Sequence, residues 1–230
     1  GDIIAYRAAF STQQEGSSDT ERKVDDLIQF ILEKTVLFPE LGLDYVVYLT
    51  GKGNFRHDIA KSHPYKGNRK HVEKPRHLQH ARDYMESKYK ATVSQGEEAD
   101  DLIAMEAAKL DYKACVASID KDMLQIPCWH FNIVRGDYLQ VEPFGGIKFF
   151  YTQILTGDRA DNIVGLFRVG PVKAKRMLED AETEEDLWDC VVKAYDGNQE
   201  RVIENARLLW LRREEAEIWQ PPRVRSDNKL

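Results

Sequence analysis

The chain has 230 residues, with 33 Lys and Arg against 39 Asp and Glu and a net charge of −6. At roughly 150 residues per domain this length predicts one sizeable domain with an appended subdomain, and 42% hydrophobic residues exclude a compositionally disordered chain. Apolar runs such as Tyr45 to Leu49 fall far below the roughly 18 residues of a membrane span, no charged start with an apolar stretch marks secretion, and three cysteines (Cys115, Cys128, Cys190) without a CxxC exclude a disulfide framework or an ordinary zinc knuckle. The expectation is a monomer of the reducing cytosol with no membrane partner.

In chain order, Ile3 to Phe10 reads as a strand or strand end, followed by a polar loop from Ser11 to Thr20. Val24, Leu27, Ile28, Ile31 and Leu32 recur at helical spacing and predict an amphipathic helix over Glu21 to Val36. Tyr45 to Leu49 reads as a short strand buried on both faces, as in a parallel sheet. From Lys52 to Lys90, eleven Lys and Arg stand against four Asp and Glu, so this strip carries +7 and the remainder −13. It also holds five of the six histidines (His57, His63, His71, His77, His80). A basic strip in an acidic protein is the footprint of a polyanion partner, or a solvated charged face. Pro64 and Pro75 interrupt it, and a helix is predicted from His77 to Tyr89. Ala91 to Ser94 follows as a strand, Glu97 to Leu110 as a helix, and Ala114 to Ile119, Trp129 to Val134 and Tyr138 to Val141 as strands. After Phe144 the strands stop. Gly146 to Thr156, Val172 to Asp180, Thr183 to Tyr195 and Gln199 to Trp219 read as helices, and the tail from Gln220 reads as frayed. The fold class is therefore α/β, a mostly parallel central sheet flanked by helices. Its boundaries are a core over 1–143 with a basic helical arch at about 60–90, a helical subdomain over 144–220 and a tail over 221–230.

The carboxylates fall where such a sheet aims side chains at its ligand crevice. Asp120 and Asp122 directly follow the apolar strand ending at Ile119. Glu98, Asp100 and Asp101 open a helix after another strand end, with Glu98 and Asp101 sharing one helical face with Met105 and Ala108. Asp158 and Asp161 are again three apart, and Asp2 sits at the start of the first predicted strand. Each cluster has an ordinary reading as well: acids cap first turns, and an acid after a strand is turn chemistry. Three clusters aimed at one crevice would instead require cations to offset their repulsion, and an all-oxygen donor set without Cys or His selects Mg²⁺ or Mn²⁺. Two such ions about 3.5–4 Å apart stabilise both oxygens of an in-line phosphoryl displacement.

Residues 163–178 carry Gly165 and Gly170 five apart, then Pro171 at a natural first helical position and the basic turn Lys173, Lys175, Arg176. This is a helix–hairpin–helix pattern, in which glycines let a phosphate approach and the contacts carry no sequence information. A plain glycine-rich connection between packed helices is the other reading.

Together these residues resemble the 5′-nuclease family: flap endonucleases, the 5′–3′ exonuclease domain of bacterial DNA polymerase I, and bacteriophage 5′–3′ exonucleases. The resemblance runs from Gly1 to at least Leu178. Asp120-Lys121-Asp122 and the late Leu187 to Cys190 place it nearest the exonucleases of short-tailed lytic phages. It implies a PIN-like fold in which Glu98, Asp100, Asp101, Asp120, Asp122, Asp158 and Asp161 match metal-binding carboxylates, about two ions being held. Tyr65-Lys66-Gly67-Asn68-Arg69 matches a Tyr-Lys-x-x-Arg motif at the base of the arch. There Lys66 would contact the scissile phosphate, Arg69 a neighbouring one, and Tyr65 would stack on a terminal base. Arg7, Arg56 and Lys70 would add DNA contacts, and the hairpin, through Gly165, Gly170, Lys173, Lys175 and Arg176, would grip duplex and hold a K⁺ ion on its loop carbonyls. Two features depart from the pattern. The family motif begins Asp-Gly, whereas this chain opens at Gly1, so Asp2 is a neighbour of the first ligand or a substitute for it. Thr50-Gly51-Lys52 stands where an acid is expected.

The activity so implied is a divalent-metal-dependent 5′–3′ exonuclease or 5′ flap endonuclease. It would act on DNA with a free 5′ end, duplex or flap, and on RNA–DNA hybrid, in phage DNA replication or host DNA degradation in the bacterial cytoplasm. Lys66, Arg69, Asp120 and Asp122 would carry catalysis through a metal-activated water, since no Ser/His/Asp or Cys/His arrangement stands out. The alternative is a non-catalytic structure-specific DNA-binding protein, for which Gly51 is the best support. A toxin-like ribonuclease is disfavoured by the length and the hairpin.

Overall fold

The computed structural model describes residues 1–35, 44–68 and 73–222. Its contacts separate into two compact units, one of Gly1–Asn54, His71–Met123 and Cys128–Gln140, the other of Phe55–Lys70, Leu124–Pro127 and Val141–Leu230.

The first unit opens with α1 (Asp2–Ser11), a helix where the β-branched start predicted a strand. The reason is burial: Ile4, Ala5, Ala8 and Ala9 recur at helical spacing and form its inner face, and the small alanines let neighbouring helices approach. Packed against it is α2 (Ser17–Thr35), through Val24 and Ile28. The next strand, β1 (Tyr48–Lys52), begins three residues later than predicted, leaving Tyr45 and Val46 outside it and exposed. The chain continues through α3 (Arg56–Ile59), which belongs to the second unit, to α4 (Leu78–Tyr89), β2 (Thr92–Gln95), α5 (Ala99–Lys109) and β3 (Cys115–Ala117). A 3₁₀ turn over Lys121–Gln125 leads to β4 (Trp129–Phe131) and β5 (Tyr138–Gln140). The predicted sheet is present, among the described residues, as separate pieces: β1 pairs with β2 in parallel, while β3 pairs with β4 in parallel and β4 with β5 antiparallel. A largely apolar cavity of about 430 Å³ lies among α2, the residues leading into β1, α5 and β3, with Ile28, Val47, Ile103 and Val116 in its walls.

In the second unit, α6 (Pro143–Thr156) buries Phe150, Tyr151, Ile154 and Leu155 in one core. Two short strands, β6 (Gly157–Asp158) and β7 (Ile163–Val164), pair antiparallel where no strand was predicted. Then come α7 (Pro171–Met177), α8 (Glu184–Ala194), capped by a reciprocal Thr183–Asp186 box, and α9 (Gln199–Leu209). The last helix stops ten residues before the predicted end. Trp210 turns extended so that it and Trp219 can reach Phe150, with ring centroids 4.9 and 5.7 Å away. The carbonyls this leaves are taken up by side chains: Arg56 Nε and Nη2 donate to Leu208 and Trp210, and Gln125 Nε2 donates to Leu209. Among the described residues no helix is long and apolar enough to cross a membrane. The frayed tail was expected from Gln220; residues 223–230 lie outside the described ones.

Candidate functional site

In the first unit Asp2 lies against the middle of β1, and the same strand residue reaches the start of α5, where Glu98, Asp100 and Asp101 stand. The Asp2 carboxylate accepts the Thr50 N–H at 2.8 Å through one oxygen and pairs with the Arg82 guanidinium through the other. Arg82 also donates to the Thr50 carbonyl at 2.7 Å. Both Asp2 oxygens are therefore engaged, which makes it a latch joining α1, β1 and α4. Thr50 Oγ1 accepts from the Ala99 N–H at 3.2 Å, tying the first turn of α5 to the same strand. Arg82 and Thr50 were not singled out by sequence; the position of Thr50 directly after the predicted strand Tyr45 to Leu49 was the available signal.

Glu98 and Asp101 form a reciprocal capping box at the start of α5, with the Glu98 N–H on Asp101 Oδ2 at 3.1 Å. The capping reading of this cluster is thus realised. Asp101 is nevertheless fully buried, a costly place for a charge unless it is hydrogen-bonded or neutralised. Asp100, beside it, is half-buried and acts electrostatically on the Gly1 nitrogen together with Asp2 and Arg82. Asp120 and Asp122 follow β3 through a tight local network: the Asp120 N–H donates to Ser118 Oγ at 3.0 Å, and the Asp122 N–H to Asp120 Oδ1 at 2.9 Å. Asp120 is exposed and Asp122 half-buried.

The Gly51 position is closed to any side chain, since a Cβ there would lie 1.9 Å from the Ser94 carbonyl oxygen. Close approach of β2 therefore accounts for the glycine where an acid was expected.

The second unit holds the other half of the candidate residues. The Tyr65 hydroxyl donates to Asp161 Oδ2 at 2.7 Å, the Lys66 ammonium stands 3.8 Å from Asp161 Oδ1, and the Lys66 N–H donates to the Asp161 carbonyl at 2.9 Å. Lys66 adopts a left-handed φ of 56°, a conformation that costs a non-glycine residue about 1 kcal/mol or more. Asn68 Nδ2 on the Arg159 carbonyl and Asn162 Nδ2 on the Pro64 carbonyl fasten the same two loops together at 2.6 and 2.9 Å. Asp158 is buried and accepts the Ala160 and Asp161 N–H groups at 2.7 and 3.3 Å.

Three of the expected DNA-contact residues are committed to packing within the unit. Tyr65 is 4% exposed, with the His57 ring packed at a steep angle to its own. Arg56 is 2% exposed and committed to main-chain carbonyls. A Cβ on Gly165 would lie 2.3 Å from the Gly157 nitrogen, so that glycine lets the hairpin pack on the end of α6. Gly170, by contrast, is exposed with open space above it, as are the side chains of Lys173, Lys175 and Arg176 on α7. Arg7 is half-buried on α1, and Arg69 and Lys70 lie outside the described residues.

The donor chemistry, carboxylate oxygen throughout, fits a hard divalent cation. Among the described residues no three His, Cys, Asp or Glu side chains form a ready-made cation cage.

DNA polymerase I of Deinococcus radiodurans is 27% identical over 124 residues, which is 48% of this chain but only 13% of the polymerase. Among solved structures, the T5 5′-exonuclease with bound zinc ions superposes with a TM-score of 0.65 at 16% identity, covering 90% of this chain and 85% of that one. The T5 D15 protein crystallised with metal ions gives 0.63 at 17% identity over 82% and 80% of the two chains. The bacteriophage T5 D15 flap endonuclease in complex with DNA and metal ions gives 0.60 at 16% identity over the same shares. At such identities the likeness is one of fold. Residues 1–145, well over half the chain, match the family of the 5′–3′ exonuclease N-terminal, resolvase-like domain, and the chain belongs to that family.

Proposed function

We propose that the chain is a divalent-metal-dependent nuclease that hydrolyses DNA phosphodiesters from a free 5′ end or at a 5′ flap, with RNA–DNA hybrid as a further substrate. The observation that carries this reading is the Tyr65–Lys66–Asp161 arrangement. A lysine held in a strained backbone conformation beside a carboxylate is a phosphate-binding cation kept next to a candidate metal ligand. Glu98, Asp100, Asp101, Asp120, Asp122, Asp158 and Asp161 are the proposed ligands of Mg²⁺ or Mn²⁺. When bound, such ions supply charge neutralisation and an activated water for in-line displacement. The residues do the rest: the Tyr65 hydroxyl fixes one Asp161 oxygen, and Lys66 offers its ammonium to the phosphate as charge develops there. Arg69 is proposed to hold a neighbouring phosphate and Lys70 to extend that grip. The open Gly170 and the cations of α7 contact duplex away from the cut, with K⁺ on the hairpin carbonyls. The setting proposed is phage replication or host DNA degradation in the bacterial cytoplasm.

The test uses a 5′-labelled duplex. The wild-type chain should release short labelled products in Mg²⁺ and none in EDTA. Asp120→Asn with Asp122→Asn should bind the duplex within about twofold of wild type while cutting at least a hundredfold more slowly. Duplex binding by wild type with no Mg²⁺-dependent cleavage would establish the non-catalytic DNA-binding protein instead.

A further inference from the structure

The hairpin between β7 and α7 presents apolar side chains that the fold does not use. Val164, Phe167 and Val172 are 47%, 85% and 76% exposed within nine consecutive positions, while Ile163 before them and Ala174 and Leu178 after them are buried in the core. Exposed apolar residues are ordinary singly, but Phe167 is the most exposed large apolar side chain among the described residues, and cations flank it. Its surroundings are cationic. The Arg168 guanidinium lies 5.0 Å from the Phe167 ring centroid, and Lys173, Lys175 and Arg176 are exposed on α7. Arg168 holds a left-handed φ of 58°, a conformation uncommon for an arginine. A shallow depression lined by Gly170, Pro171, Val172, Lys173 and Arg176 opens beside the turn.

We propose that Phe167 is a wedge that enters the minor groove of duplex DNA and opens a base step, while Arg168 moves from the ring to a flanking phosphate. Cations carry the sequence-independent attraction, and the apolar wedge converts it into a preference for DNA that unstacks easily, such as a pyrimidine–purine step or a nick. This rests on the nuclease reading and adds to it a substrate feature, namely that the enzyme senses the deformability of the duplex it grips. An anionic membrane would also attract cations around an aromatic, but the family to which the chain belongs makes a nucleic acid the better-supported anionic partner.

The experiment compares wild type, Phe167→Ala and Phe167→Leu, all as the full chain in EDTA. Anisotropy reads affinity for a short duplex and for a single strand, and 2-aminopurine at a central pyrimidine–purine step reads unstacking. Wild type and Phe167→Leu should raise 2-aminopurine fluorescence. Phe167→Ala should bind duplex about tenfold more weakly without that signal, and single-strand affinities should agree within about twofold. Duplex affinity unchanged by Phe167→Ala, or no unstacking with wild type, would overturn the wedge. So would Phe167-dependent binding to phosphatidylglycerol vesicles with no 2-aminopurine response. Cleavage of 5′-labelled duplex in Mg²⁺ separates the two readings. A chain that cuts without unstacking loses only the wedge, and one that unstacks without cutting loses only the nuclease.

Discussion

Lys66 and Arg56 lie ten positions apart in the same basic strip, yet their surroundings assign them opposite work. Lys66 keeps 19% of its side chain exposed and faces a carboxylate. Arg56 is enclosed, stacked on Phe55, with its donors on the Leu208 and Trp210 carbonyls. Lys66→Ala should therefore lower single-turnover cleavage about a hundredfold or more while leaving the urea midpoint within error of wild type. Arg56→Ala should do the reverse, costing about 3 kcal/mol of stability because buried carbonyls lose their donors. Arg56→Lys should not restore it, since an ammonium cannot bridge two carbonyls as the planar fork does. Denaturation and rapid-quench measurements on the three variants check both statements. A normal fold with weakened DNA binding in Arg56→Ala would contradict the assignment.

The junction of α2 and α4 turns on Asp25. Its carboxylate accepts the Tyr84 and Tyr89 hydroxyls at 3.0 and 2.6 Å and the Lys88 ammonium at 2.8 Å. Burial works to raise its pKa, but the hydrogen bonds from Lys88, Tyr89 and Tyr84 outweigh it and hold the carboxyl below its ordinary value. A depressed carboxyl stabilises the fold fully above its unfolded pKa of about 3.9, and that contribution is lost as pH falls through the folded value. Asp25→Asn should lower the unfolding free energy near neutrality by about 1 kcal/mol or less, given partial solvent screening, and the gap to wild type should close below about pH 4. Urea titrations from pH 3 to 7 read this directly; a gap that widens on acidification would contradict it.

At the scale of the whole chain, the helices α2, α4, α5 and α8 lie close to where the sequence places them. The errors have particular causes. Two isoleucines at the start of α1 imitate a strand, and only the buried spacing of Ile4, Ala5, Ala8 and Ala9 reveals the helix. Trp210 and Trp219 suit a continued helix in sequence, but both are needed in the second core. In the candidate site, carboxylates at strand ends and helix starts were legible. The inward turn of Tyr65 and Arg56 was not, because it depends on partners 96 and 152 residues away. Metal binding by the carboxylates is tested most directly by Mn²⁺ titration of the DNA-free chain followed by electron paramagnetic resonance, comparing wild type with Asp101→Asn and Asp161→Asn. Each single substitution is predicted to weaken Mn²⁺ binding at least tenfold while thermal unfolding remains cooperative. Binding indistinguishable from wild type in both variants would contradict the role proposed for the carboxylates as ligands.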